Sequence, residues 1–122
     1  MYCFSSLTEF AALREFIKAE LILIFGKDAL GLFIALNEGV NNAIFHGNKE
    51  DCSKKVYLTM EELPNEIRIV IRDEGQGFIN QDKPKTTSRF AEHGRGFQLI
   101  QHYVDSYELN GRGNKLTLIK KL

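Results

Sequence analysis

Three short stretches carry side chains whose types and spacing suit chemistry. In Ala35–Asn48, ALNEGVNNAIFHGN, the carboxylate of Glu38 and the carboxamide of Asn42 stand four residues apart. On a helix that spacing brings both to one face, about a turn apart. Exposed helices carry such pairs too, so the pair alone decides nothing. Asp73 continues the alternation of Ile67, Ile69 and Ile71, which sets a carboxylate at the end of a buried strand face. Burial there is costly unless a partner or ligand compensates. In Gly94-Arg95-Gly96-Phe97, two glycines open a further helix. Glycines at that position let backbone amides and the positive end of the helix dipole approach a phosphate. No Lys-Ser/Thr pair follows, as it would in a Walker loop, and no strand directly precedes, as it would in a dinucleotide-binding turn. No Ser/His/Asp or Cys/His arrangement stands out.

The elements that must hold these residues follow from their periods. Ser6-Leu7-Thr8-Glu9 has the spacing of a capping box, which predicts a first helix from about residue 7. Phe10, Leu13, Ile17, Leu21 and Ile24 give it one apolar stripe, and Gly26 a stop. Asp28 is expected to cap a second helix running to about His46, with Leu36, Val40, Ala43 and Ile44 inward and Gly47-Asn48 ending it. From Val56 the period changes to two. Val56, Leu58 and Met60 mark one strand, Pro64-Asn65 a turn, and Ile67, Ile69 and Ile71 the next strand. Residues 79–92 are polar, contain Pro84 and show no period, which predicts a mobile loop. Gly94–Val104 reads as a short helix with Leu99, Ile100 and Tyr103 inward. Tyr107 and Leu109 begin a strand, residues 110–113 turn it, and Leu116–Leu122 returns. This order predicts an α+β two-layer sandwich, a mostly antiparallel mixed sheet with helices on one face.

Composition narrows the class. The 122 residues suffice for one domain with a single core. With 16 basic residues against 16 acidic ones, nothing argues for a general nucleic-acid or membrane-surface binder. The apolar runs fall far short of a bilayer span, and the N-terminus lacks the pattern of a secretory signal. Cys3 and Cys52 belong to no C-x-x-C or Cys/His cluster, which fits free thiols in the cytoplasm better than a disulfide framework or a zinc site. A single cytoplasmic domain over residues 1–122 is the expectation.

E-x-x-x-N-A-x-x-H-G at 38–47, D-x-G-x-G-F at 73–78 and G-x-G-F at 94–97 occur in that order. The set resembles the nucleotide-binding boxes of the GHKL (histidine kinase-like) ATPase superfamily, whose members share the Bergerat-type ATP-binding fold. The short, free-standing form is most similar to the anti-sigma-factor serine/threonine kinases of bacteria. The likeness runs from the first helix to the last strand and implies ATP and Mg2+ as cofactors. Asn42 matches the family's metal-binding asparagine, and Glu38 the carboxylate that acts as general base on an attacking hydroxyl or water. Asp73 matches the adenine-reading aspartate, which would explain a carboxylate at the end of a buried strand. Gly75 and Gly77 would let the backbone bend against base and ribose. Gly94, Arg95 and Gly96 fall at the phosphate end, where Arg95 meets either a phosphate or solvent. Asn114 stands where relatives often carry a threonine near the adenine, with a turn role the equal alternative. Asn41 is either a supporting partner or an exposed side chain, and His46 of the H-G pair reads as structural. Residues 79–93 would form the ATP lid.

The resemblance implies an anti-sigma regulator that phosphorylates a serine on an anti-anti-sigma (STAS-type) partner. It also implies a sigma factor as second partner and a homodimer, with no direct nucleic-acid or membrane contact. Two departures bear on this. Members often carry an arginine two residues before the third box, where this chain has Glu92, leaving Arg89 or Arg95 as substitutes. The usual first strand, which can contribute to dimer contacts, is expected to be nearly absent because the capping signal begins by Ser6. The alternatives are a nucleotide-gated protein-binding module without kinase activity, a histidine kinase catalytic fragment, and a scaffold with decayed boxes. A start without a phospho-acceptor helix weighs against the fragment, and the retained box residues against the scaffold.

Overall fold

A computed structural model describes residues 1–49, 51–75, 94–110 and 114–122, with 94–97 by backbone alone. Helix α1 spans Leu7–Phe25, α2 Ala29–Asn42 and α3 Gly94–Tyr103. The strands are β1 Tyr2–Phe4, β2 Val56–Glu62, β3 Glu66–Asp73, β4 Ser106–Leu109 and β5 Lys115–Lys121. They form one sheet in the order β1-β2-β3-β5-β4, with every neighbouring pair antiparallel. Alternate residues of the sheet (Leu58, Ile67, Ile69, Ile71, Leu116 and Leu118) share one buried core with Ile17, Leu21, Leu36, Val40 and Ile100 of the helices. This is the expected two-layer α+β sandwich. Among the described residues, no helix is long and apolar enough to cross a membrane.

The start of α1 follows from its capping residues. Ser6 Oγ accepts the Glu9 N–H at 3.2 Å, while the Glu9 carboxylate turns back to accept the Ser5 N–H at 2.6 Å and its hydroxyl at 3.1 Å. The returning arm of the box therefore reaches one residue further out than the usual motif. The hydrogen bond from the Ser5 N–H, aided by the Ser5 hydroxyl, holds the Glu9 carboxyl below the ordinary glutamate value. Phe10, Ile17 and Leu21 are buried and Leu13 and Ile24 partly so, as the stripe predicts. Gly26 ends the helix at φ 61°, a left-handed angle suited to glycine, with its N–H donating to Ile22 C=O.

Three expectations are corrected. Asp28 stands at the head of α2 but makes no capping hydrogen bond. A 3-10 turn, Gly26–Asp28, runs straight into α2, so Asp28 is itself helical and lacks the extended backbone a cap needs. The second helix does not stay α-helical to His46, because a π-turn, Ala43–Gly47, follows Asn42. The first strand is present. Tyr2, Cys3 and Phe4 pair with Leu58, Tyr57 and Val56, and Phe4 is buried with its ring centroid 5.0 Å from that of Phe10. Three residues are too few to show a period, and what makes them a strand is the distant edge of β2. The Tyr2 hydroxyl donates to the Glu20 carboxylate, tying β1 to α1. That bond, with burial and the Glu20 charge, pushes the Tyr2 pKa up to about 12.

Helix α3 lies close on α2. A Cβ on Gly31 would stand 2.4 Å from a ring carbon of Tyr103, and Ile100 and Val104 are buried. The expected lid at 79–93, with Arg89 and Glu92, lies outside the described residues, as do Gly77, the Arg95 and Phe97 side chains and turn residues 111–113.

Candidate functional site

Strand β3 delivers Asp73 to the end of its inward face, where it is 4 % exposed. Its N–H donates to the Asn114 carbonyl at 2.9 Å, at the entry to β5. Its Oδ1 accepts the Gly75 N–H at 2.8 Å. The end of α2 closes the other side. A Cβ on Gly47 would lie 2.1 Å from Asp73 Oδ2, and a Cβ on Gly75 would lie 1.9 Å from the Gly47 carbonyl oxygen. Neither distance is compatible with a side chain, so the H-G pair and the D-x-G segment press together only as glycines.

The π-turn brings them to this approach. Asn48 N–H donates to Ala43 C=O at 2.8 Å, five residues back, which widens the last turn of the helix. Asn48 is itself buried, its Oδ1 accepting the Glu74 N–H at 2.8 Å and its Nδ2 donating to Lys55 C=O at 3.0 Å. Glu74 completes the join outside: its carboxylate accepts the Lys55 N–H at 2.6 Å and the Tyr57 hydroxyl at 3.2 Å. Asn48 is absent from the sequence-level candidates, where it serves only as a helix stop. Its contacts span seven and 26 residues and leave no local signal.

Beside Asp73 a narrow recess is lined by Gly39, Asn42, Ile71, Leu109, Asn114 and Leu116. Apolar side chains of Ile71, Leu109 and Leu116 and the polar groups of Asn42, Asp73 and Asn114 meet there, a mixture common to small-molecule sites. Asn42 Oδ1 is buried without a hydrogen-bond partner among the described residues. Such an orphan acceptor costs about 1–3 kcal/mol unless something satisfies it. Asn114 borders the recess while its side-chain oxygen accepts from Asn110 Nδ2 at 2.9 Å, so it also serves the β4–β5 turn.

Glu38 does not share that recess. One turn before Asn42, it borders a second hollow between α1 and α2 with Arg14, Lys18, Leu30, Phe33 and Asn37. The Arg14 guanidinium and the Lys18 ammonium stand 5.6 and 5.5 Å from the Phe33 ring centroid, which helps seat α1 on α2. The structure thus gathers Asp73, Asn42, Asn114, Gly47 and Gly75, and sets Glu38 on the adjoining side of α2. Gly94 and Gly96 open α3. Among the described residues no three His, Cys, Asp or Glu side chains form a metal-holding cluster.

The glycine contact gives a direct test. Gly47→Ala should destabilise the fold by about 1–3 kcal/mol, the usual cost of overpacking. A drop of several degrees in Tm by scanning calorimetry would register it, and an unchanged Tm would refute the contact.

Comparison with known proteins places this geometry. Residues 4–120 match the family model described as Histidine kinase-like ATPase domain. The anti-sigma F factor of Bacillus subtilis (strain 168) is 28% identical over 90 residues, covering 70% of this chain and 62% of that protein. The anti-sigma F factor of Oceanobacillus iheyensis is 35% identical over 89 residues, covering 69% and 61%. That of Clostridium perfringens (strain SM101 / Type A) is 33% identical over 96 residues, covering 72% and 69%. The chain therefore spans about three fifths of the length of the first two relatives. A family match over nearly its whole length, on a sheet and helices that bring the first two boxes into contact, means that this chain belongs to the histidine kinase-like ATPase domain family.

Proposed function

We propose that the chain binds ATP with Mg2+ in the recess beside Asp73 and acts as an anti-sigma regulator that phosphorylates a serine on a STAS-type partner. What supports this above all is that a buried carboxylate, Asp73, and Asn42, whose Oδ1 is an unsatisfied buried acceptor among the described residues, line one recess. The carboxylate would accept from the exocyclic amine of adenine, while Ile71, Leu109 and Leu116 flank the ring. The Gly94 end of α3 would offer backbone N–H groups to the phosphates. A lone carboxamide oxygen suits magnesium, which takes few protein ligands and fills its shell with phosphate oxygens and water. When bound, the ion would neutralise phosphate charge.

Glu38 would take the proton from the partner's serine hydroxyl as that oxygen bonds to the terminal phosphorus and ADP leaves. One turn from Asn42 on the same face of α2, Glu38 adjoins the residue assigned to the ion, on the side from which a hydroxyl would approach the terminal phosphate. The names of the relatives support a sigma factor as a further partner. Strand β1 supplies the sheet edge whose expected absence weighed against a homodimer.

Glu92, where relatives often carry arginine, favours a second reading, a nucleotide-gated binding module without transfer. Titration calorimetry with ATP, with and without Mg2+, followed by transfer of labelled phosphate to a STAS-domain protein, separates the two. Magnesium-dependent binding with transfer is the expected result. Binding without transfer would support the module, and absence of binding would overturn the ATP site.

A further inference from the structure

We propose that Asn48 is a positioning residue for Asp73, holding the base-reading carboxylate in register with the helix that carries Asn42 and Glu38; this rests on the ATP reading of the recess. The chain from α2 to β2 and the chain leaving β3 meet at this side chain. A carboxamide offers a donor and an acceptor on one small planar group. Its oxygen takes the Glu74 N–H at 2.8 Å and its nitrogen gives to Lys55 C=O at 3.0 Å, while its backbone N–H closes the π-turn onto Ala43 at 2.8 Å. Asn48 thus fixes the residue on either side of a close approach. Gly47, just before it, lies against the Asp73 carboxylate, and Glu74, which it holds, directly follows Asp73. With Asn48 only 3 % exposed, water cannot readily replace either arm when the side chain is removed.

Asn48→Ala would release the Glu74 N–H and loosen the approach of Gly47 to Gly75, so the Asp73 carboxylate would be held less firmly in direction. Asn48→Asp keeps the acceptor for Glu74 but turns an oxygen toward the Lys55 carbonyl, cutting one arm in a near-identical volume. The informative readout is base selectivity. A purely structural role would lower Tm and weaken ATP and GTP in parallel. A positioning role lowers ATP affinity selectively, by about tenfold in Asn48→Ala, the scale of one hydrogen bond to a charged group.

ATP and GTP affinities should be measured by calorimetry on wild type and both variants, with amide exchange at Glu74 followed by NMR. The expected result is a reduced ATP-to-GTP preference in Asn48→Ala, with faster Glu74 exchange, and a smaller change in both for Asn48→Asp. If Asn48→Ala does not fold, Asn48→Asp carries the test, since it should still lose part of the preference. An unchanged preference in every folded variant would overturn the role of Asn48 while leaving the ATP site standing. A wild type that binds neither nucleotide would overturn the ATP reading itself, and the positioning role with it.

Discussion

Replacing Glu38 by alanine should abolish the proposed phosphoryl transfer to a partner serine while leaving ATP affinity within about twofold of wild type, because the role proposed for Glu38 is proton transfer rather than nucleotide binding. Glu38 borders the hollow between α1 and α2, whereas Asn42, Asp73 and Asn114 border the recess on the sheet side. The contacts assigned to the bound nucleotide therefore exclude it. A general base contributes about 10²–10⁴-fold to a rate, so transfer under saturating ATP should fall by that factor. Glu38→Gln is the better control for packing, since it keeps the volume and polarity of a half-buried position and removes only the basicity. Single-turnover transfer of labelled phosphate should be equally slow in both variants. If either retained wild-type transfer, Glu38 could not be the base, and the hollow beside it would need another explanation.

The features that were legible in the sequence are those set by local period. The alternation of Ile67, Ile69 and Ile71 places Asp73 on the buried face of β3, because the pleat carries parity along a strand regardless of its neighbours. The α1 stripe and the Ser6 cap were readable for the same reason. Strand β1 was not, since three residues carry no period and their pairing lies more than 50 residues away. Asp28 has a capping side chain, but the 3-10 turn leaves no extended residue to use it. The π-turn and the Asn48 clasp depend on contacts between the end of α2, the start of β2 and the end of β3, which no local pattern records. Spacing put Glu38 and Asn42 on one face of α2, yet a helix seated between another helix and a sheet turns one broad face toward two hollows.

Asp73→Asn should lower ATP affinity by about 10- to 100-fold, as expected when a hydrogen bond to a buried charged acceptor is lost. The fold should survive, because asparagine has nearly the same shape and its remaining oxygen can still accept the Gly75 N–H now held at 2.8 Å. Asparagine replaces one acceptor of the carboxylate by a donor nitrogen. On the proposed adenine contact, that donor would oppose the donor amine of the base. Guanine presents an acceptor oxygen where adenine presents that amine, so the same substitution should shift preference toward GTP as well as weaken ATP. Two measurements decide it, titration of ATP and GTP on wild type and variant, and a melting curve of each protein. Loss of ATP binding with a near-unchanged Tm and a shifted base preference would identify Asp73 as the adenine reader. Wild-type ATP affinity in the variant would mean that the carboxylate serves the join between Gly47 and Gly75 and not the ligand.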